Sequence, residues 1–192
     1  MNSCEICIKR IFDVLFSLSA ILLLIPLYVI LLIVVGEKPI FKQERIGLHG
    51  KPFIIYKFRS MIIDAEKDGP MLSDINDPRI TKIGRVLRKY RLDEIPQFFN
   101  VLKGDMSLIG PRPERKFYID QIVKKVPDYC MLQSVKPGIT SWGIVRYGYA
   151  TTVEQMIDRC AYDMLYLKNA SLLWDIKVLI HTIKVIFKGR GL

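Results

Sequence analysis

The longest apolar stretch of the chain lies near its N-terminus. Between Ile11 and Val35 the only charged residue is Asp13, and residues 14–35 carry no charge at all. About 20 consecutive apolar residues are enough to cross the hydrocarbon core of a bilayer as a helix. The run offers no small-residue cleavage site of the kind that ends a signal peptide. The pattern therefore predicts a membrane-embedded helix that stays attached to the rest of the chain.

Pro26 lies near the middle of this run and predicts a kink, because proline removes a helix hydrogen bond. Lys9 and Arg10 precede the run. Positive charge on both flanks gives the positive-inside rule no clear direction. A helix that spans the membrane and a helix that returns to the same face both stay open at this point. The basic residues that follow the run are Lys38, Lys42, Arg45 and Lys51.

The hydrophobic pattern changes after the apolar run. Ile40–Ile46 and Pro52–Phe58 are short β-prone runs around the glycine-containing turn 47–50, which predicts a β-hairpin. Apolar residues then recur at the spacing of a helix, which predicts a helix after the hairpin. Pro96 is tolerated in the first turn of a helix and indicates that a second helix begins within 93–96. The residues at the first helical spacing are Ile80, Ile83, Val86 and Leu87.

Two segments rich in glycine and proline are predicted to be loops. Ser107–Glu114 contains Gly110, Pro111 and Pro113, and it would present Arg112 on a rigid loop. Lys136–Ser141 is the second such segment. Thr152 followed by Gln155 has the spacing of a capping box and predicts the start of a helix.

The last predicted helix runs from Ser171 to Lys188 and has two contrasting faces. A basic amphipathic helix is typical of an anionic membrane surface, although a core-packed helix with a solvated basic face is an alternative. The pattern as a whole predicts an α+β fold that is mostly helical, with amphipathic interfacial helices. The apolar positions are Leu172, Ile176, Leu179, Ile180 and Ile183, and the basic positions are Lys177, His181, Lys184 and Lys188.

Composition narrows the partners. The 192 residues suit one modest domain besides the apolar run, and 51% of them are hydrophobic. The formal net charge of +10 favours an anionic partner, such as a phospholipid surface, a nucleotide or a nucleic acid. The four cysteines include a single C-x-x-C pair, Cys4 and Cys7, which is more typical of free thiols than of a metal site.

The adjacent carboxylates Asp93 and Glu94 are the candidate catalytic residues. A carboxylate among arginines stays ionised and can act as a nucleophile or a metal ligand. Mg²⁺ prefers carboxylate oxygens and completes its coordination with substrate phosphate and water. Both carboxylates are therefore also the candidate metal ligands. The cations expected to bind a diphosphate are Lys57, Arg59, Arg88 and Arg112.

Each of these features has a plainer interpretation. An acidic pair at the start of a helix commonly compensates the helix dipole, and basic side chains are commonly solvated. A non-catalytic membrane-anchored scaffold would keep the apolar helix without needing the carboxylates. A nucleic-acid-binding module would use the positive charge, but the cations are scattered between apolar stripes and form no recognised motif.

The chain resembles the bacterial sugar transferases, small monotopic phosphoglycosyl transferases that act on polyprenyl phosphate. The resemblance covers essentially the whole chain and rests on an ordered set of motifs. These motifs are Lys9–Asp13, Pro39–Gly47, Tyr56–Met61, Asp77–Ile80, Leu92–Gln97, Asn100–Glu114, Lys136–Thr140 and Gly189–Gly191.

The resemblance implies a two-step transfer. The carboxylate of Asp93 would attack the β-phosphate of a nucleotide diphosphosugar, usually a UDP-sugar, and form a phosphosugar-aspartyl intermediate with release of UMP. Polyprenyl phosphate would then take the phosphosugar, which starts the assembly of an exopolysaccharide, O-antigen or glycoprotein glycan. Glu94 would bind Mg²⁺, and cations around Arg112 would bind phosphate. Arg146, in the segment Trp142–Tyr149, is counted among these cations.

The resemblance also implies a topology. Residues 1–36 would form a re-entrant helix-break-helix, and residues 37–192 a catalytic domain on the cytoplasmic face of the bacterial inner membrane, in contact with phospholipid and not with nucleic acid. The break would fall at Ile25 and Pro26, where family members often have Ser-Pro. The segment Trp142–Tyr149 resembles initiating enzymes that often carry an extra N-terminal membrane region, so we expect a minimal catalytic form here.

Overall fold

A helix of 33 residues, α1 (Ser3–Val35), begins the chain in this computed structural model, which describes residues 1–67, 69–74 and 76–188. Asn2 caps α1 through the backbone N–H of Glu5. The helix continues through Pro26 without an interruption of its secondary structure, and the re-entrant path implied by a break at Ile25 and Pro26 stays a prediction. A proline removes one hydrogen bond, and neighbouring backbone groups can accommodate this loss without ending a helix. The motif Gly189–Gly191 lies outside the described residues.

Most of α1 is exposed apolar surface. The mean hydropathy of its most apolar 18-residue window is 3.1, and only 6% of that window is buried. The helix is thus long and apolar enough to cross a membrane. Its buried residues are Asp13, Ser17 and Leu31, two of which are polar. The buried side of α1 therefore contacts protein, and the remainder suits a lipid environment.

The predicted hairpin is confirmed with its predicted bounds. β1 (Ile40–Ile46) pairs antiparallel with β2 (Pro52–Phe58), and Ile40 lies opposite Phe58 in the register. The turn contains His49 at φ 56° and Gly50 at φ 72°. The left-handed conformation of Gly50 favours glycine at that position of the turn.

Two short helices flank the acidic pair. α2 (Lys82–Lys89) is capped by Thr81, and Gly84 lets it approach the segment after β2 closely, because a Cβ at Gly84 would lie 1.9 Å from the carbonyl oxygen of Ser60. A 3₁₀ turn (Leu92–Glu94) then carries both carboxylates, and α3 (Gln97–Lys103) follows directly. The predicted helix start near Asp93–Pro96 is therefore a 3₁₀ turn followed by an α-helix.

The two segments predicted as loops each contain a short strand. β3 (Ser107–Ile109) and β4 (Gly138–Thr140) pair in parallel, with Ser107 opposite Gly138. The prediction that Ser107–Glu114 contains no regular element is therefore wrong for its first three residues. Such short parallel strands depend on tertiary contacts rather than on a local pattern.

The C-terminal half is helical. Thr152 caps the sixth helix by accepting from the N–H of Gln155, whose side chain accepts from Thr151 instead of completing the predicted box. Ser171 caps the last helix. The elements are α4 (Lys116–Lys125), a 3₁₀ segment (Pro127–Ser134), α5 (Trp142–Arg146), α6 (Val153–Lys168) and α7 (Leu172–Phe187).

Three apolar clusters hold these elements together. The first joins the hairpin and α3 to β3 and the three last helices around Val101, Met106 and Val178. The second joins α4, the 3₁₀ segment and α6. The third packs Leu31 of α1 against Phe58 and the turn that carries the acidic pair. Burial of such side chains stabilises a fold by roughly 1.5–3 kcal/mol each.

Candidate active site

The acidic pair lies at the junction of the hairpin, α2 and α3. Asp93 is 6% exposed and Glu94 is 3% exposed. Buried carboxylates are costly unless they are paired with cations. Lys57 Nζ donates to Glu94 Oε1 at 2.9 Å, and Arg91 Nε donates to Glu94 Oε2 at 2.9 Å. Arg112 lies 3.6 Å from Oε1. Glu94 is therefore fully paired inside the protein.

Asp93 differs from its neighbour. Its Oδ1 atom is buried and has no hydrogen-bond partner among the described residues. The same side chain lines a cavity of about 200 Å³, whereas Glu94 lies behind Lys57 and Arg112. Most buried polar atoms in folded proteins have a hydrogen-bond partner, and an atom without one can be a catalytic group or a position that an ion or a water completes.

The surroundings also separate the pKa values of the two carboxylates. Burial raises the pKa of Asp93, and the attraction of Lys57 offsets this only in part. Burial would also raise the pKa of Glu94, but the charges of Arg91, Lys57 and Arg112 outweigh it and lower that pKa. Glu94 is thus held as an anion, while Asp93 becomes a stronger base and a better nucleophile once ionised.

The predicted phosphate-binding cations fall into two groups. Lys57, Arg59, Arg88 and Arg112 all line the cavity with Asp93. Arg88 donates from Nε to the hydroxyl of Ser60 and from Nη1 to the hydroxyl of Ser73, and both serines also line the cavity. The structure therefore brings four predicted cations and the predicted nucleophile together.

Arg146 lies apart from this group. It is exposed, and its guanidinium carbon lies 5.4 Å from the centre of the Trp142 ring. It is not among the residues that line the cavity in the described part of the chain. Its predicted role in phosphate binding thus has no counterpart in this geometry.

Tyr149 is a site residue that the sequence did not single out. Its ring lies 5.4 Å from the guanidinium carbon of Arg112, and it lines the cavity beside Asp93. Burial raises the pKa of Tyr149 to about 12, so its hydroxyl is a hydrogen-bond donor at neutral pH. Its membership of the segment Trp142–Tyr149 was the only available signal.

Arg45 and Glu114 form a second ion pair at the cavity. Arg45 Nη1 lies 3.3 Å from Glu114 Oε2, and Arg159 Nη2 donates to Glu114 Oε1 at 2.6 Å. Glu114 also lies 3.8 Å from Arg112 Nε. These contacts position the Arg112 loop. Arg45 belongs to the motif Pro39–Gly47 and was predicted only as a basic residue after the apolar run, not as a site residue.

The acidic pair is the candidate Mg²⁺ site. Among the described residues no group of three or more His, Cys, Asp or Glu side chains lies close enough together to hold a metal ion. The unpartnered Oδ1 of Asp93 can serve as a ligand, whereas Glu94 would have to exchange Lys57 or Arg91 for the metal. This donor set fits an ion that takes most of its ligands from substrate phosphate and water.

Comparison with known proteins gives a consistent match. The sequence model of a family described as bacterial sugar transferase matches residues 4–189. A UDP-N-acetylgalactosamine-undecaprenyl-phosphate N-acetylgalactosaminephosphotransferase of Aeromonas hydrophila is 43% identical over 96% of this chain. A UDP-glucose:undecaprenyl-phosphate glucose-1-phosphate transferase of Klebsiella pneumoniae is 37% identical over 98% of it.

The fraction of the relative's own length that this chain covers differs from one relative to the next. The chain covers 44% of the Aeromonas protein and 41% of the Klebsiella protein. It covers 90% of the uncharacterized sugar transferase EpsL of Bacillus subtilis, which is 37% identical over 96% of this chain. The family match over residues 4–189 spans every residue of the site described above.

Proposed function

This chain belongs to the bacterial sugar transferase family, and we propose that it transfers a sugar 1-phosphate from a UDP-sugar to undecaprenyl phosphate. The products would be UMP and a lipid-linked diphosphosugar, the starting point for glycan assembly. The names of the Aeromonas and Klebsiella relatives specify this class of reaction for those proteins. The proposal for this chain rests on its own site.

The observation that carries the proposal is the free oxygen of Asp93. Oδ1 is buried without a partner among the described residues and belongs to a side chain that lines a cavity with the four predicted cations. A diphosphate in this cavity would meet guanidinium groups suited to bidentate contacts. The carboxylate next to Asp93 in the sequence, Glu94, is neutralised by Lys57 and Arg91 and would not repel the diphosphate.

The first step is attack of Asp93 Oδ1 on the β-phosphorus of the UDP-sugar. An aspartyl–phosphorus bond forms, and the bond between this phosphorus and the bridging oxygen breaks, so UMP leaves with the bonding electrons. Charge accumulates on the departing phosphate oxygens, and Arg112 and Lys57 are placed to stabilise it. The Tyr149 ring keeps the Arg112 guanidinium oriented.

The second step regenerates Asp93. A phosphate oxygen of undecaprenyl phosphate attacks the phosphorus of the intermediate, and the aspartyl–phosphorus bond breaks. The low pKa of Glu94 keeps Glu94 ionised while the carboxylate of Asp93 leaves the phosphorus. The ammonium group of Lys57 offsets the negative charge of Glu94. Glu94 and the oxygen of Asp93 that does not attack would hold a Mg²⁺ ion, which would supply positive charge to the phosphate groups.

The exposed apolar surface of α1 agrees with membrane association. We propose that both ends of α1 lie on the same face of the membrane. Before Pro26, Arg10 donates to the carbonyl oxygens of Val101 and Leu102 at 2.7 and 3.1 Å. After Pro26, the Tyr28 ring packs 4.9 Å from that of Phe58, centre to centre. Contacts from both halves with one domain are difficult to reconcile with a helix that leaves that domain to cross a bilayer.

Helix α7 provides a second membrane contact in this proposal. Its buried face comprises Asp175, Val178 and Thr182, so its apolar stripe points outward. Leu173 is 77% exposed and Phe187 is 84% exposed. Lysines flank the stripe, which is typical of a helix on an anionic phospholipid surface. The exposed apolar residues are Leu173, Ile176, Ile180, Ile183 and Phe187.

A panel of UDP-sugars tests the activity. The purified protein in anionic vesicles is incubated with undecaprenyl phosphate, Mg²⁺ and each UDP-sugar, and released UMP is measured. We expect turnover with at least one sugar and none in Asp93→Asn, with a mass increase of one phosphosugar on the wild-type protein alone when lipid acceptor is omitted. Asp120→Asn, an exposed position on α4, is the matched control. Turnover by Asp93→Asn would refute the assignment.

A further inference from the structure

A chain of hydrogen bonds leaves the active site on the side away from the cavity. Arg91 binds Glu94 through Nε at 2.9 Å, and its Nη2 atom also donates to the carbonyl oxygen of Ile139 at 3.0 Å. Its Nη1 atom donates to Thr140 Oγ1 at 3.5 Å. Arg91 is 6% exposed. It therefore fixes Glu94 against the strand β4.

The chain continues from β4 to α7. Thr140 Oγ1 lies 2.8 Å from Thr182 Oγ1, and Thr182 Oγ1 donates to the carbonyl oxygen of Val178 at 2.9 Å. Because Thr182 uses its single hydrogen for Val178, Thr140 is the donor between the two hydroxyl groups. Every bond from Arg91 to Val178 then points in the same direction, and such chains strengthen each member.

The backbone of Arg91 indicates that this arrangement is held under strain. Its φ of 56° and ψ of 24° lie in the left-handed region, immediately before the turn that carries both carboxylates. A residue with a side chain costs about 1–3 kcal/mol in such a conformation, and surrounding contacts must offset that cost. The buried partners of the Arg91 guanidinium can offset this cost.

We propose that Thr182 of α7 is a positioning residue for Glu94, acting through Thr140 and Arg91. It touches neither the cavity nor the carboxylates. Its hydroxyl orients the hydroxyl of Thr140, which accepts from the guanidinium of Arg91. Arg91 in turn holds the carboxylate of Glu94 and the conformation of the turn. The effect on turnover rests on the proposed function, whereas the effect on the turn does not.

The position of Thr182 makes α7 part of the active-site architecture. Thr182 is 7% exposed and faces inward, while Ile180 and Ile183 beside it are 47% and 45% exposed. One helix thus carries the outward apolar stripe and the last side chain of the buried chain. A shift of α7 along its axis or a rotation about it would separate the two threonine hydroxyl groups. A change in the position of α7 would therefore change the position of the Glu94 carboxylate.

Hydrogen exchange tests the structural part without requiring activity. Thr182→Val keeps the side-chain shape but removes the hydroxyl, and we expect amides of residues 91–97 to exchange about threefold faster or more. Thr182→Ser should restore the wild-type rate. Thr151→Val is the matched control, because Thr151 is exposed and its hydroxyl binds only Gln155. Unchanged exchange at 91–97 in a folded Thr182→Val protein would overturn the proposal.

Kinetics tests the positioning role. Loss of one hydrogen bond predicts a kcat about two- to tenfold lower in Thr182→Val, with the KM for the UDP-sugar within about twofold. The loss should disappear when Arg91→Lys is already present, because the chain is then interrupted upstream. Equal losses in both backgrounds would refute the chain. Thr182→Cys, a weaker hydrogen-bonding group, replaces Thr182→Val if the latter does not fold. An inactive wild type would refute the proposed function, and hydrogen exchange would still decide this inference.

Discussion

Lys57 and Glu94 form an ion pair of 2.9 Å in which the carboxylate is 3% exposed and the ammonium-bearing side chain 16% exposed. The pair closes the cavity behind Asp93. Burial lowers the pKa of Lys57, and Glu94 opposes this most strongly, so the lysine depends on its partner to stay charged. The two residues therefore control the electrostatics of Asp93 together.

Removal of the Lys57 charge should move the pH profile. Burial raises the pKa of Asp93, and Lys57 is the largest influence that lowers it. Asp93 must be ionised to attack, so the acid limb of kcat/KM should follow its pKa. We expect Lys57→Met to shift this limb to higher pH. Lys103→Met, an exposed position, should leave it in place. An acid limb of kcat/KM at the same pH in Lys57→Met as in the wild type would show that Asp93 does not control this limb.

Glu94→Gln should weaken metal activation and turnover together. A neutral amide is a poor ligand for Mg²⁺, and the substitution leaves Lys57, Arg91 and Arg112 without their shared anion. The measurement is initial rate against Mg²⁺ concentration, with Glu154→Gln on the surface as control. Activity that is insensitive to a chelator in the wild type would contradict a metal role for the acidic pair.

Arg112→Lys should lower kcat/KM by at least about tenfold, which corresponds to roughly 1.4 kcal/mol of transition-state stabilisation. Lysine retains the charge but loses the planar fork and the stacking on Tyr149. Arg146→Lys is the matched control, since Arg146 stacks on Trp142 away from the cavity. Near-wild-type kinetics of Arg112→Lys would contradict the role, and a loss in Arg146→Lys would restore its predicted role in phosphate binding.

Asp163 should make stability depend on pH. It accepts from the N–H of Gly143 at 2.7 Å, and burial raises its pKa from 3.8 to about 6. The folded state therefore binds its proton more tightly. This stabilisation is complete below about pH 4 and is lost as the pH rises through 6, by up to about 3 kcal/mol. Asp163→Asn lacks the titration.

The free energy of unfolding of Asp163→Asn, relative to the wild type, should consequently rise between pH 4 and pH 7. Denaturant unfolding in detergent micelles at several pH values measures this difference. Asp158→Asn provides an exposed carboxylate on the same helix as a control. A constant difference across this range would show that the pKa of Asp163 is not raised in the folded state.

The thiols of the chain itself can test the topology. Cys4 and Cys7 are exposed near the start of α1, and Cys130 is exposed in the globular part. With both α1 ends on the cytoplasmic face, a membrane-impermeant maleimide should label none of them in intact cells and all of them after permeabilisation. Variants that retain only the α1 thiols or only Cys130, besides buried Cys160, separate the signals. Labelling of Cys4 and Cys7 alone in intact cells would indicate a spanning helix.

Local patterns in the sequence predicted most of the fold. The hairpin strands and the last helix were predicted almost to the residue, because alternation, turn glycines and the cap at Ser171 are encoded nearby. The parallel pair β3 and β4 was missed because three-residue strands carry no periodic signal. The pattern left open whether the helix continues through Pro26, because a proline alone does not reveal whether a helix ends.

The site was predictable where one motif carried the chemistry. Asp93 and Glu94 with Lys57 and Arg112 do lie together, as their chemistry suggested. Tyr149 and the partners of Arg91 were missed, because their roles depend on contacts between segments distant along the chain. Arg146 was included on charge and neighbourhood in sequence, and neither property determines where a side chain points.

The attachment of α1 has a consequence for the modularity of this protein. Asp13 accepts a hydrogen bond from the backbone N–H of Leu108 at 3.0 Å, and Lys9 donates to the carbonyl oxygen of Ile109 at 2.9 Å. Deleting residues 1–36 would leave these buried polar groups of β3 without partners. Helix α1 is thus a structural component of this protein rather than an interchangeable tether. A version without α1 would need β3 to be redesigned.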